Sequence, residues 1–444
     1  MNLADALRAA EASCSAFVGA GGKTTALFQL ARQLRPPVIV TATSHLGAWQ
    51  VPLADRHIIA EQPHELAVLD EVSAGVSLVS GPLEGERTQP VNEAVLYALH
   101  EKCKARSLPL LVEADGARQK ALKAPAAHEP PIPPFADLVI VLAGMGGVGE
   151  PLHDANVFRA DLFGRLSGLD GGQAVTLEAL VRVLCHPLGG LKNIPPAARR
   201  IALLNQADTP SLQAQGARMA ASLLEAYDAV AVASLKNGGD SIHAVYEPMA
   251  GLILAAGESR RFGAPKQLLD WKGQPFVRHV AQTALRAGLR PVLVVTGFYA
   301  AEVEAALRDL PVGIVRNQAW QEGQARSIRA VLEGLLASGV KAGGALFLLA
   351  DQPQVSVEVI HALTERHAHS RPAILAPLVL EEKRANPVLF DRVCFPDLLQ
   401  LKGDSGGRAL FGKYPPAYLP WHDASLLLDV DTPEDYRRLL EVTG

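Results

Sequence analysis

The chain has 444 residues, 49 % hydrophobic and 20 % charged, a composition of folded globular proteins; its length exceeds one typical core, so two or three domains are expected. A net charge of −4 argues against a nucleic-acid partner, and no stretch reaches the about 18 consecutive apolar residues of a membrane span. The first residues, Met-Asn-Leu-Ala-Asp-Ala-Leu-Arg, lack the basic flank and apolar core of a signal peptide, so a cytoplasmic protein with no membrane partner is expected. Cys14, Cys103, Cys185 and Cys394 are isolated and read as reduced structural residues.

The first chemical signal lies near the start. Ser15–Val18 is a short apolar run, Gly19-Ala-Gly-Gly-Lys-Thr-Thr25 a glycine turn, and Leu27, Leu30 and Leu34 recur at helical spacing. Strand, glycine turn and helix form the layout of a P-loop. Backbone donors at Gly19, Gly21 and Gly22 face phosphate, Lys23 neutralises it, and Thr24, beside Thr25, reaches Mg²⁺. The loop is shorter than a Walker A motif, since Phe17 stands where that motif has its first glycine. ATP or GTP is the expected ligand.

Leu108–Gly116 reads as a buried strand ending in Glu113 and Asp115, where P-loop proteins keep a metal-side carboxylate. Gly144-Met-Gly-Gly-Val-Gly149 has dinucleotide-binding spacing, but no apolar helical stripe follows it, so it reads as a structural loop. Ile201–Asp208 is a further strand whose end, Asn205-Gln-Ala-Asp208, is similar to the guanine-reading element of GTP-binding proteins, with Gln206 in place of its lysine.

With these motifs in place, residues 1–235 resemble the selenium-dependent hydroxylase accessory proteins. The resemblance rests on Gly-Gly-Lys-Thr-Thr, on Glu113-Ala-Asp-Gly-Ala-Arg-Gln-Lys-Ala-Leu-Lys-Ala-Pro-Ala-Ala-His-Glu-Pro130, and on Leu-Asn-Gln-Ala-Asp. It implies a role beside molybdenum hydroxylases, with an apoenzyme of the xanthine dehydrogenase family as partner.

Residues 236–248 are rich in turn formers and read as a linker. Beyond it, runs at Pro291–Thr296, Val312–Val315, Ala345–Leu349 and Ala373–Ala376 alternate with helical patterns at Phe276–Ala287 and Ser327–Leu336. The expected fold class is α/β throughout: a P-loop-like α/β domain, then a Rossmann-like doubly wound domain over 249–444.

The second domain carries five ordered motifs. Gly251–Lys266 places Leu254, Ala255, Ala256 and Gly257 so that backbone N–H groups can approach phosphate, and Arg261 and Lys266 supply charge where pyrophosphate departs. Gly323 and Ser327 open a helix suited to an anion or a base edge. Leu348–Pro353 reads as a strand ending in Asp351, a candidate Mg²⁺ ligand. The turn Asp404-Ser-Gly406-Gly407-Arg408 suits an anionic second substrate. Asp429 and Asp431 alternate at an expected strand end before Thr432-Pro433 opens a helix, and offer the second metal carboxylate.

These motifs resemble the molybdenum cofactor cytidylyltransferases, within the wider family that includes the guanylyltransferase of the same cofactor. Guanine-using members carry Leu-Ala-Gly-Gly, whose second glycine makes room for a larger base, where this chain has Leu254-Ala255-Ala256-Gly257, which favours CTP. Phe262 replaces the usual Met, and Asn386 a common Gly. The resemblance implies transfer of CMP from CTP to Mo-molybdopterin with Mg²⁺. Asp351 and Asp431 (or Asp429) would hold the metal, Arg261 and Lys266 the leaving charge, and Asn386, Asp404, Gly406, Gly407 and Arg408 the pterin side. A sugar-1-phosphate or guanylyl nucleotidyltransferase on the same scaffold, and a nucleotide-gated cofactor-insertion chaperone, are the alternatives.

Overall fold

The computed structural model describes residues 1–237, 241–259 and 262–443, and the chain divides into two units between Tyr246 and Glu247. In the first, nine strands are β1 (Cys14–Gly19), β2 (Val38–Ala42), β3 (Arg56–Ile59), β4 (Val76–Ser80), β5 (Leu110–Glu113), β6 (Leu138–Gly144), β7 (Arg199–Asn205), β8 (Ala229–Ala233) and β9 (Ile242–Tyr246). They form one sheet in the order β9-β8-β7-β6-β1-β5-β2-β4-β3, parallel except for antiparallel β9.

Continuous apolar runs suit strands covered on both faces. Side chains alternate accordingly: Ala16, Val18, Val112, Val139 and Val141 enter one core, while Phe17, Leu111, Leu138 and Ile140 enter the other. The chain leaves β1 toward β2 on one side and returns at β6 on the other, so the glycine turn after β1 sits at a topological switch point, where open sheets bind ligands.

One sequence expectation changes here. Part of the expected linker, residues 242–246, is strand β9: Ile242, Ala244 and Val245 are at most 5 % exposed and cover the sheet edge beside β8, so alternation won over the turn-forming residues before it. Residues 238–240 of that segment lie outside the described residues. The glycines after β6 lead into a 3₁₀ turn, Met145–Gly147, in keeping with a structural loop.

The second unit holds β10 (Met249–Ala255), β11 (Val292–Thr296), β12 (Gly313–Arg316), β13 (Gly344–Leu349), β14 (Ile374–Val379), β15 (Lys383–Arg384), β16 (Val388–Asp391) and β17 (Ala417–Trp421). The sheet order is β12-β11-β10-β13-β16-β14-β15, with β17 also beside β14. Strands β12, β11, β10 and β13 are parallel, and β16 runs antiparallel to β13 and β14. The switch point lies between β10 and β13, which brings the turn after Ala255 beside Asp351.

The expected helices are present as Phe276–Arg286 and Gln324–Ala337. Leu428–Asp431 is irregular chain, against the expected strand end: it follows a 3₁₀ turn, Ala424–Leu427, and enters helix Pro433–Thr443. Thr432 opens that helix with a reciprocal cap, its N–H donating to Asp435 at 2.8 Å and its hydroxyl accepting from the Asp435 N–H at 3.2 Å. Phe262 packs with Trp271, Phe276, Val430 and Leu439, an apolar use that a Met could also serve.

Candidate active site

In the first unit, the glycine turn is tied to the strands around it. Gly19 N–H donates to Asp115 Oδ2 at 3.1 Å, Ala20 N–H to the Leu142 carbonyl at 2.9 Å and Gly21 N–H to the Lys120 carbonyl at 3.1 Å. Gly21, at φ +85°, approaches Gly144 so closely that a Cβ would lie 2.4 Å from its nitrogen. Free donors therefore begin later: the first-turn N–H groups of helix Lys23–Gln33 have no intrahelical acceptor.

Lys23, 5 % exposed, donates to the Gly19 carbonyl at 2.7 Å and lies 3.2 Å from Asp115 Oδ1. The Thr24 hydroxyl donates to Glu113 at 2.8 Å and accepts from Gln50 at 2.8 Å. Burial raises the Glu113 carboxyl above its ordinary pKa, with Lys23 and the Thr24 bond opposing.

Asn205 is placed against the glycine turn. Its amide donates to the Gly21 carbonyl at 2.7 Å and accepts from Leu235 N–H at 3.0 Å, so it braces the loop where base reading was expected. Thr25 and Asp208 lie exposed, outside these bonds.

The sequence reading missed the residues that complete this network. Lys123 donates to Asp115 Oδ2 at 2.7 Å and to Glu129 at 3.0 Å, and Arg159 grips Glu129 with bonds of 2.6 and 2.8 Å. Burial raises the Glu129 carboxyl, but Arg159 and Lys123 outweigh it and hold it at about 2. Lys123 and Glu129 lay inside the quoted motif; only their charge and spacing hinted at the pairing. A cavity of about 30 Å³ beside Gly19, Asp115 and Lys123 has room for water alone.

In the second unit, the turn after β10 borders a cavity of about 640 Å³ lined by Leu254–Ser259, Lys266, Gly323, Ser327, Asp351 and Asp431. Ala255 and Ala256 are 2 % and 5 % exposed, whereas Gly257 is exposed and a Cβ there would meet nothing. Gln267 shapes the turn: its amide donates to the Ala255 and Gly257 carbonyls at 3.2 and 2.8 Å and accepts from Ser259 at 3.1 Å. It too went unnoticed in sequence, where nothing sets a glutamine after Lys266 apart. Arg261, expected beside the departing charge, and Arg260 lie outside the described residues.

Lys266 sits between two carboxylates, 3.0 Å from Asp351 and 2.9 Å from Asp431. Its burial alone would lower the ammonium pKa; Asp351 and Asp431 override that and raise it. Asp429 instead accepts from Gln352 Nε2 at 2.5 Å. Among the described residues no three His, Cys, Asp or Glu side chains form a ready metal cluster. A carboxylate pair that already brackets one positive charge fits Mg²⁺, which takes one or two carboxylates and fills its shell with phosphate and water.

A second cavity, about 500 Å³, is lined by Asp351, Asn386, Phe390, Asp404, Gly406, Gly407, Arg408, Phe411, Asp429 and Asp431. The two cavities share Leu254, Gln324, Leu349, Asp351, Asp404 and Asp431. Gly323, at φ +102°, abuts the Gly403-Asp404 turn, where a Cβ would lie 2.5 Å from Asp404 Oδ1, and a Cβ on Gly407 would lie 2.5 Å from the Phe390 ring. These glycines permit close approach of the walls. Ser327 accepts from Asn317 Nδ2 at 3.1 Å in the first turn of its helix.

Comparison with known proteins agrees with this division. The profile of the MobA-like NTP transferase domain matches residues 251–418, and that of the YqeC protein matches residues 15–161. Uncharacterized protein YqeC of Escherichia coli (strain K12) is 30 % identical over 196 residues, covering 43 % of this chain and 74 % of that protein. Purine catabolism protein PucB of Bacillus subtilis (strain 168) is 35 % identical over 198 residues, covering 42 % of this chain and 94 % of that one. Nicotine blue oxidoreductase of Paenarthrobacter nicotinovorans is 32 % identical over 200 residues, covering 43 % and 96 %.

Proposed function

We propose a reaction for a chain that belongs to two families, the YqeC proteins through its first unit and the MobA-like NTP transferases through its second: transfer of CMP from CTP to Mo-molybdopterin. One observation carries this reading. Two cavities, of about 640 and 500 Å³, meet at Asp351 and Asp431, with the Lys266 ammonium between those carboxylates.

CTP occupies the larger cavity, its phosphates against Gly257 and Lys266. The acceptor occupies the smaller, its pterin between the apolar wall of Phe390 and Phe411 and the polar turn of Asp404 and Arg408. An oxygen of the acceptor phosphomonoester attacks the α-phosphorus, the bond from that phosphorus to the β-bridging oxygen breaks, and pyrophosphate leaves. No general base is required, because the attacking phosphate is already ionised. The chain's residues supply position and charge, which is most of what phosphoryl-type transfer needs. Lys266, with Arg261, stabilises the charge that grows on the leaving oxygen. Asp351 and Asp431 would hold Mg²⁺, which when bound supplies Lewis-acid neutralisation of the phosphate oxygens.

For the first unit we propose binding of ATP or GTP at the first turn of helix Lys23–Gln33 and an accessory step on a molybdenum hydroxylase apoenzyme. The name of PucB supports a setting in purine breakdown. The name of the nicotine blue enzyme favours a second reading, redox chemistry on a flat heteroaromatic ring in the same cavities.

The test is to incubate the purified chain with Mo-molybdopterin, Mg²⁺ and each nucleoside triphosphate in turn. Cytosine dinucleotide and pyrophosphate in equal amounts are expected. A guanine product would overturn the choice of CTP, and turnover of a heteroaromatic dye without pyrophosphate release would favour the redox reading.

A further inference from the structure

Beyond the acceptor cavity lies a third chamber, about 350 Å³, lined by Gln352, Lys383, Arg384, Asn386, Arg408 and Asp429 among others. It shares Asn386, Arg408 and Asp429 with the acceptor cavity, so the two are continuous on the side away from Lys266. Three cations face one carboxylate there, and that carboxylate is already engaged by Gln352 Nε2 at 2.5 Å. Among the described residues Lys383, Arg384 and Arg408 hold no salt bridge, whereas Arg278, Arg316 and Lys413 of the same unit each hold a carboxylate at 2.6, 2.5 and 2.7 Å. Like charges gathered around a cavity repel one another unless an anion enters.

The backbone shows that this placement is built. Lys383 and Arg384 pair with Val379 and Leu378 across a hairpin, and its turn residues Leu380 and Glu381 both have positive φ, 51° and 61°. Positive φ at both central residues is the handedness that suits a tight hairpin, and the turn is closed by the Glu382 N–H donating to the Val379 carbonyl at 3.1 Å, which fixes where Lys383 and Arg384 begin. Arg384 also lies over the Phe411 ring at 5.5 Å, which keeps its guanidinium beside the acceptor cavity.

We infer that this chamber receives the anionic end of the acceptor remote from the phosphate that reacts, and that Lys383 and Arg384 are the residues that select an acceptor carrying such an anion. The inference rests on the transferase reading above. An oxyanion such as molybdate shares the required chemistry, as does the product pyrophosphate, and the test separates them.

The test compares the full chain with its Lys383→Ala/Arg384→Ala variant, both side chains being exposed and outside the core. Equilibrium dialysis without nucleotide uses inorganic molybdate and pyrophosphate as separate probes. Molybdate affinity is expected to fall at least about tenfold, the scale of losing one charge-assisted contact, and Lys383→Arg/Arg384→Lys to restore it. In the transfer assay the KM for Mo-molybdopterin should rise by a similar factor, the KM for CTP should stay within about twofold, and metal-free molybdopterin should be less affected. Unchanged molybdate affinity with unchanged acceptor KM overturns the inference, as does a loss confined to pyrophosphate. Absence of transfer in both proteins would count against the transferase reading, whereas molybdate binding that depends on Lys383 and Arg384 would still support the chamber.

Discussion

Two lysines follow glycine-containing turns at the ends of central parallel strands, one in each unit, and their surroundings differ. Lys23 has a side chain 4 % exposed and is held by the Gly19 carbonyl and Asp115, itself 2 % exposed. Lys266 is 14 % exposed, and its partners Asp351 and Asp431 are 31 % and 52 % exposed at the edge of a cavity of about 640 Å³. The first lysine is part of a buried ion chain, the second a charge bridging two carboxylates that stay open to a ligand. A glycine turn with a lysine is thus only half of a phosphate site; what the lysine already holds decides how readily it can serve.

The largest effect expected from this contrast is at Asp351. Asp351→Asn should lower cytidylyl turnover at least about a hundredfold, because it removes a charged metal ligand while the half-exposed site tolerates an amide. Turnover measured as pyrophosphate release, with circular dichroism as the folding control, checks it. Near-normal turnover would place the metal elsewhere and dissolve the distinction between the two lysines.

Lys23→Ala probes the other side. Breaking a buried pair commonly costs ~3–5 kcal/mol, but Asp115 keeps Lys123 at 2.7 Å, so a loss of ~2 kcal/mol in the stability of the first unit is expected by denaturant titration. Transfer should be spared in vitro, and a fragment beginning near Glu247, where the chain divides, should fold and transfer CMP by itself. In cells the variant should activate a molybdenum hydroxylase less well. Loss of transfer in the Lys23 variant, with the second unit still folded, would show that the sites are coupled.

How much of this was legible in sequence follows from the range of each interaction. Continuous apolar runs ending in small-residue turns announced β1, β10 and β13 and the positions of Lys23, Lys266 and Asp351, because strand and turn chemistry is local. The irregular path of Leu428–Asp431 was misread, since alternating carboxylates look the same on a strand and on an extended loop. Asn205 was picked out by a local motif, whereas its partners, Gly21 and Leu235, are distant in sequence and no local pattern names them. The chain Asp115–Lys123–Glu129–Arg159 was hidden for the same reason: its last link spans 30 residues and depends on how the loop folds back.

That ion chain predicts a pH effect confined to the buried side of the comparison. Glu129 titrates at about 2 in the folded chain against an ordinary 4.5, so its stabilisation is full above the ordinary value and is lost as the pH falls from 4.5 toward 2. Glu129 is 13 % and Arg159 24 % exposed, so solvent screening reduces the effect to ~1–2 kcal/mol. Glu129→Gln should lower stability at neutral pH and flatten the acid limb of the first unit's stability profile. An acid limb identical to that of the parent chain would show that the Arg159 pairing contributes nothing to stability.

The smallest expected effect concerns the open side, where the walls choose the base. Ala256 is 5 % exposed and lines the nucleotide cavity, and a Cβ placed on Gly297 would lie 2.9 Å from the Ala256 Cβ, so the wall there is tightly filled. Removing the methyl in Ala256→Gly therefore opens space for a larger base without disturbing Lys266 or the carboxylates. One methyl in a pocket is worth roughly 1–3 kcal/mol, and partial collapse of the wall brings the expectation to the lower end. The kcat/KM for GTP relative to CTP should rise by about tenfold or less, with the pyrophosphate yield per dinucleotide unchanged. A parent chain that already prefers GTP would remove the cytidylyl assignment. A variant with an unaltered ratio would show that base choice is made by another wall of the cavity, such as the one that carries Trp320.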